Sequence, residues 1–219
     1  MMIKSQLILF DLDGTLIESH EAIYHSAVSV LSKYSEKIPS REEVFHSVGL
    51  PIIQLFGSYL KETYLDDGVK EFREHLKAHG HERTKLIPDA KATLEELKSR
   101  RILLSLVTNK HTALAESVLK QQGISQYFDQ VVGSDLGRPK PYPDLIAFAL
   151  SKFPHALKPA MVGDRPEDME AARGAGIAGI FLRNPYHGVE SLHSLLPYKP
   201  RIISTLSELP ETYHELKVE

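Results

Sequence analysis

Apolar residues along this chain gather in short runs, each ending at a polar residue or at a glycine. Leu7 to Phe10, Ile102 to Val107, Val131 to Val132, Ala160 to Val162, Gly179 to Leu182 and Arg201 to Ile203 all have strand length, and several are bounded by Gly, Asp or Asn. Between them the apolar period lengthens to that of a helix. Asp89 to Arg101 places Ala90, Leu94 and Leu97 on one face. Thr112 to Gln122 carries Ala115, Val118 and Leu119, with Gly123 as its stop, and Pro143 to Phe153 carries Ile146, Ala149 and Leu150. Pro166 to Arg173 opens with a proline and acids, which suit a first helical turn. Strands alternating with helices predict an α/β fold, a doubly wound parallel sheet with helices on both faces.

One stretch breaks the alternation. From about Glu18 to Arg83 no strand pattern is convincing, and the segment reads as several helices. Glu21 to Tyr34 has Ile23, Ala27, Val30 and Leu31 at helical spacing. Ser40-Arg41-Glu42-Glu43 is a capping-box pattern that opens the next helix. Pro51 to Tyr64 and Asp67 to His79 supply two more, punctuated by Gly49-Leu50-Pro51 and Asp66-Asp67-Gly68. The predicted organisation is a core of residues 1–17 and 84–219 carrying an inserted helical cap of residues 18–83. No repeat or low-complexity tract is visible.

Composition narrows the class. Apolar residues make up 42% and charged residues 25% of 219 residues, as in a globular domain. A formal charge of -3 leaves no electrostatic footprint for nucleic acid or an acidic membrane. With no cysteine, thiolate metal sites and cysteine nucleophiles are excluded. The early run Leu7 to Phe10 is too short to span a membrane and ends in an aspartate, so the expected location is cytoplasmic.

In a parallel sheet, ligands bind beyond the carboxyl ends of the strands, so the residues after each apolar run carry the candidate chemistry. Asp11-Leu12-Asp13-Gly14-Thr15 follows the first run and Thr108-Asn109-Lys110 the second. A short loop after the third reaches Arg138-Pro139-Lys140-Pro141, and Gly163-Asp164-Arg165-Pro166-Glu167-Asp168 follows the fourth. Each has a plainer reading alone. Asp13-Gly14 is also a turn sequence, Thr108 a loop hydroxyl or helix cap, Lys140 a solvated lysine, and Asp164 and Asp168 are caps and dipole partners of the next helix. Their shared placement, each just past a strand-like run, favours convergence on one sheet edge. The prolines beside Lys140 favour an extended, stiff presentation of it.

Asp11-Leu12-Asp13-Gly14-Thr15-Leu16, Thr108, Lys140 and Gly163-Asp164-x-x-x-Asp168 resemble, in this order, the four motifs of the haloacid dehalogenase-like hydrolase superfamily. Ala171 to Gly176 is similar to the helix after its fourth motif, and the layout is closest to phosphoglycolate phosphatase-like members with a helical cap. The resemblance spans essentially the whole chain. It implies a phosphatase in which Asp11 is the nucleophile and Asp13 the general acid and base, Asp13 also binding metal through its backbone carbonyl. True dehalogenases of the superfamily lack the second aspartate of the first motif, whereas β-phosphoglucomutases usually carry Val where this chain has Thr15.

Attack on a phosphate monoester needs a nucleophile, charge neutralisation and a proton for the leaving oxygen. Carboxylates ~4 Å apart repel by on the order of 4 kcal/mol at an effective dielectric near 20. A hard divalent cation, Mg²⁺, answers that repulsion, with Asp11 and Asp164 as side-chain ligands and Asp168 behind them. Lys140, Thr108 and the Asn109 backbone N–H are expected to hold the phosphoryl oxygens. The partner is then a small phosphorylated molecule, the protein a monomer or homodimer. Phosphoryl transfer on a sugar phosphate and a non-catalytic binding protein on the same fold are the competing readings. Among the histidines, His75 and His79 share a helix face with His81 beyond, which reads as a solvated face rather than a transition-metal site. His20 reads as a helix start or a substrate contact, Gly49-Leu50-Pro51 as a turn over the cleft or a plain helix connection. Tyr186 and His187 lie in a loop without a role.

Overall fold

The computed structural model describes residues 5–186 and 193–216; His187 lies outside them. Six parallel strands form the sheet: β1 (Gln6–Phe10), β4 (Leu103–Val107), β5 (Gln130–Val132), β6 (Leu157–Gly163), β7 (Ala178–Leu182) and β8 (Arg201–Ile203). Their order is β5-β4-β1-β6-β7-β8, which puts the first strand at the centre and makes its carboxyl end a switch point. The apolar runs locate all six strands of this sheet, and the bounds of β8 coincide with them.

Alternation along β1 explains the two-faced core. Ile8 and Phe10 pack with helices α5 (Ala90–Ser99), α6 (Thr112–Gln121) and the C-terminal α9 (Leu209–His214). Leu7 and Leu9 pack on the opposite face with α7 (Asp144–Lys152) and α8 (Pro166–Gly174).

Four helices intervene between β1 and α5: α1 (His20–Tyr34), α2 (Arg41–Ser47), α3 (Ile52–Gly57) and α4 (Glu62–His79). They bury a hydrophobic cluster of their own around Phe56, Phe72, Leu31 and Leu76, which Leu114 of α6 joins. The capping box at Ser40 and Glu43 is present in both directions. Two expectations fail in this segment. The helix expected over Pro51 to Tyr64 stops at Gly57, and Asp66-Asp67-Gly68 lies inside the 18-residue α4 instead of ending a helix. One glycine costs a helix about 1 kcal/mol. Here packing accompanies the bare position: a Cβ on Gly68 would stand 2.5 Å from Leu60 Cδ1, whose side chain would have to turn aside, and 3.5 Å from the Phe56 ring. Glu18 is also not helical: β2 (Ile17–Glu18) and β3 (Lys85–Leu86) form an antiparallel pair where the chain leaves and re-enters the sheet layer. Such a two-residue strand is below the length at which alternation can be read. No helix among the described residues is long and apolar enough to cross a membrane.

Phe56 is fully buried and meets Phe72 edge-on, ring centroids 5.4 Å apart. Phe56→Ala is expected to lower the unfolding free energy in urea by about 3–5 kcal/mol. A loss under about 1 kcal/mol would show that the helices do not depend on this cluster.

Candidate active site

Three neighbouring strands deliver the residues of the site. Asp11 follows β1, whose partners β4 and β6 lead into Thr108 and Asp164. Carboxylate oxygens of Asp11, Asp164 and Asp168 lie within 4.8 Å of one another, and all three residues are buried. Lys140 is no surface lysine: it is 2% exposed. Its ammonium donates to Asp11 Oδ1 at 2.7 Å, to the Val107 carbonyl at 3.0 Å and lies 2.6 Å from Asp168 Oδ1, which occupies all three of its hydrogens.

Burial is the main cause that pushes the Asp11 carboxyl up, to about 8; Lys140 opposes the rise and Asp168 and Asp164 add to it. Asp168 is raised for the same leading reason, opposed by Lys140. Burial alone would lower Lys140, but Asp11 and Asp168 outweigh it and hold the ammonium charged. Three carboxylates facing one ammonium are thus short of positive charge in a place water hardly reaches. An all-oxygen donor set of this kind fits a hard divalent cation.

Each member is held by further groups. Asp164 Oδ1 accepts from Thr15 Oγ1 at 3.0 Å and its Oδ2 from Asn184 Nδ2 at 2.8 Å; Asn184 also donates to the Gly14 carbonyl at 3.1 Å. Gly14 has φ +89°, and a Cβ there would stand 2.2 Å from Asp164 Oδ2. Asp168 Oδ2 accepts from the Arg165 backbone N–H at 3.1 Å, so the plain capping role is real and coexists with its place in the cluster. Arg165, not Asp164, is the N-cap of α8.

Asp13 stands apart from this trio, gripped by Ser19 Oγ on Oδ1 at 2.5 Å and by Lys110 Nζ on Oδ2 at 2.8 Å. It faces a cleft of about 490 Å³ that Thr108, Asn109 and Lys110 line from the sheet side and Val48, Gly49, Phe72 and Arg73 from the helices. Thr108 does not cap α6, whose N-cap is His111; its Oγ1 accepts from the Lys110 backbone N–H at 3.2 Å, leaving its own hydrogen to donate. Asn109 uses its side chain to fix the Lys140 backbone, accepting from its N–H at 2.8 Å and donating to its carbonyl at 3.2 Å.

Lys110 and Thr15 were quoted within their motifs without a role at the site, and Ser19 and Asn184 were not among the expected site residues. Lys110 adjoins Thr108, yet nothing in order along the chain says which lysine turns inward; Asn184 follows β7 at the same sheet edge, a placement that could have marked it. His20 begins α1 and is buried, its ring 3.9 Å from that of Tyr186 and 5.2 Å from that of Phe45. It does not line the cleft. Tyr186 gains a contact, donating to Glu18 Oε1 at 2.8 Å. His75 and His79 share a face, and His75 sits 3.1 Å from Ser26 Oγ. Among the described residues the only group of three acids or histidines arranged to hold a metal is the aspartate trio.

A parallel sheet whose central strand ends in a buried aspartate beside a lysine and two further aspartates defines a class of hydrolase. The family model of haloacid dehalogenase-like hydrolases matches residues 8–182, and the chain belongs to that family. A phosphoglycolate phosphatase of Vibrio parahaemolyticus is 33% identical over 220 residues, covering 94% of this chain and 95% of that protein. A pyrophosphatase of Oceanobacillus iheyensis is 33% identical over 173 residues, 78% of this chain and 79% of its own. The solved structure of a haloacid dehalogenase-like family protein from Streptococcus pneumoniae superposes with a TM-score of 0.81 at 27% identity, covering 95% of this chain and 98% of that one. The likeness to phosphoglycolate phosphatase-like members read from the motifs is borne out, and the chain is a phosphatase of this family.

The close approach at Gly14 yields a test. Gly14→Ala is expected to cost more than about 1 kcal/mol in urea unfolding, from left-handed strain, and to cut phosphate release at least about tenfold by displacing Asp164. Unchanged values of both would show that the approach is dispensable.

Proposed function

We propose that the protein is a Mg²⁺-dependent phosphatase of small-molecule phosphate monoesters that works through a phosphoryl-aspartate on Asp11. The observation that carries this reading is the buried Asp11, Asp164, Asp168 and Lys140 cluster at the strand ends, with Asp13, Thr108 and Asn109 from the same strand ends lining a cleft. Asp11 Oδ1 is taken by Lys140, and no described residue donates to Oδ2, the oxygen left for attack.

Asp11 Oδ2 attacks phosphorus; the bond to the leaving oxygen breaks, its electron pair stays on that oxygen, and Asp13 supplies the proton. Lys110 pairs with Asp13 at rest, and a bound phosphate offers that ammonium a second anion, which loosens its hold on Asp13. Water then attacks the phosphoryl-aspartate, Asp13 takes up its proton, and cleavage of the bond to Asp11 releases inorganic phosphate. Thr108 Oγ1 and the Asn109 N–H are placed to donate to the phosphoryl oxygens. Lys140 reaches them only by trading one of its present bonds, so its first task is to fix Asp11 and Asp168. Asp11 and Asp164 would hold Mg²⁺, with the Asp13 carbonyl joining them and Asp168 behind; when bound, the ion neutralises the charge on the transferring group.

Residues 18–83 act in this reading as a cap over the core of residues 1–17 and 84–219, shutting water out of the cleft and selecting the substrate. Phosphoglycolate and pyrophosphate, named for the relatives, head the list of esters to try, in a protein that works in the cytoplasm.

Phosphate release screened across a metabolite panel with Mg²⁺ tests the reading, with Asp11→Asn as the blank. That variant is expected to fold normally and lose at least about a thousandfold in turnover; turnover retained would remove Asp11 from its role. Mg²⁺ at a hundred times its dissociation constant contributes about 2.7 kcal/mol and should raise the melting temperature by about 5–10 °C. Asp164→Asn is expected to abolish that rise, and EDTA to suppress turnover. A rise that survives in Asp164→Asn would place the ion elsewhere.

A further inference from the structure

Gly49 turns the chain between α2 and α3 with φ +88°, and its neighbours are held by residues far away in sequence. Arg165 Nη1 donates to the His46 carbonyl at 3.0 Å and the Val48 carbonyl at 2.9 Å, both at the C-terminal end of α2, where carbonyls lack partners within the helix. Asn109 Nδ2 donates to the Gly49 carbonyl at 3.0 Å. Glu167 steadies the guanidinium from behind, accepting from Nε at 3.2 Å. A Cβ on Gly49 would stand 2.6 Å from Arg165 Cδ, so the turn and the arginine fit only because that position is bare.

Arg165 lies between two members of the acidic cluster, next to Asp164, and its backbone N–H holds Asp168. Val48 and Gly49 line the cleft. We propose that Arg165 is a positioning residue that clamps the 46–49 turn onto the loop of the acidic cluster, so that the cleft takes its substrate-binding shape only when the clamp is made. Asn109 makes the second tie, from the loop that carries Thr108. The backbone of residue 165 serves the cluster and its side chain serves the helices, so truncation separates the two tasks.

The kinetic arm rests on the phosphatase reading; the distance arm does not. The native chain has no cysteine, so spin labels go only to Glu42→Cys and Lys152→Cys, exposed positions on α2 and α7. In the full-length protein, Arg165→Ala is expected to lengthen and broaden the label-to-label distances measured by pulsed electron paramagnetic resonance. It is also expected to raise KM about tenfold for the ester found in the screen, with kcat changed less than about threefold. A merely structural role would lower kcat by disturbing Asp164 and Asp168 and leave the distances alone. Gly49→Ala strikes the same contact from the other side, and the double variant should have a KM no more than about twice that of the worse single variant. Unchanged distances and KM in Arg165→Ala, or multiplicative effects in the double variant, overturn the clamp. If the native protein hydrolyses no phosphate ester, the phosphatase reading falls and the distances alone decide the clamp.

Discussion

Asp11, Asp164 and Asp168 crowd into a volume from which water is nearly absent, with one ammonium among them. Left to themselves these carboxylates would drive each other apart or take up protons. The architecture prevents separation: Asp11 and Asp164 sit on adjacent central strands, and Asp168 is anchored in the first turn of a helix whose own N-cap it satisfies. Protonation is the remaining escape, and burial moves Asp11 and Asp168 that way. An excess of negative charge, assembled in advance by the fold, is what would make a hard cation welcome there.

Lys140 shows how finely this is set. All three of its hydrogens are used, so it does not float in the cleft waiting for an anion. It holds Asp11 by Oδ1 and leaves Oδ2 to other partners. Asn109 in turn fixes the Lys140 backbone, and the same amide reaches the Gly49 carbonyl on the helical side. Asp11 is thus tied, through Lys140 and Asn109, to the turn between α2 and α3.

Much of this could be read from the sequence because of where the information lies. Each strand of the six-stranded sheet declared itself by an apolar run, and a parallel sheet brings the residues after adjacent runs to one edge. That rule alone brought Asp11, Thr108 and Asp164 together, and Gly163-Asp164-x-x-x-Asp168 added the acid one turn into the next helix. What stayed hidden depends on docking rather than on local pattern. Asn184 meets Asp164 because β7 lies beside β6, and Lys110 meets Asp13 because β4, which it follows, lies beside β1. Gly68 misled for a related reason: its punctuation value is set by propensity, and the neighbours that reverse it, Leu60 and Phe56, belong to the segment just before it.

Catalysis of this kind needs two conditions that oppose each other. The cleft must open to admit a charged ester, yet the acids work only in a shaped, dry pocket. A hinge alone would leave these conditions uncoordinated. Placing the helix-gripping arginine inside the acidic motif, at the position between Asp164 and the helix that carries Asp168, ties them together at no extra length of chain. Any movement that frees the 46–49 turn must break two hydrogen bonds of a charged donor right beside the aspartates, and any movement that restores it returns that donor to the same place. Ordinary peptide carbonyls, fixed at a helix end and indifferent to side-chain identity, serve as the receiving half.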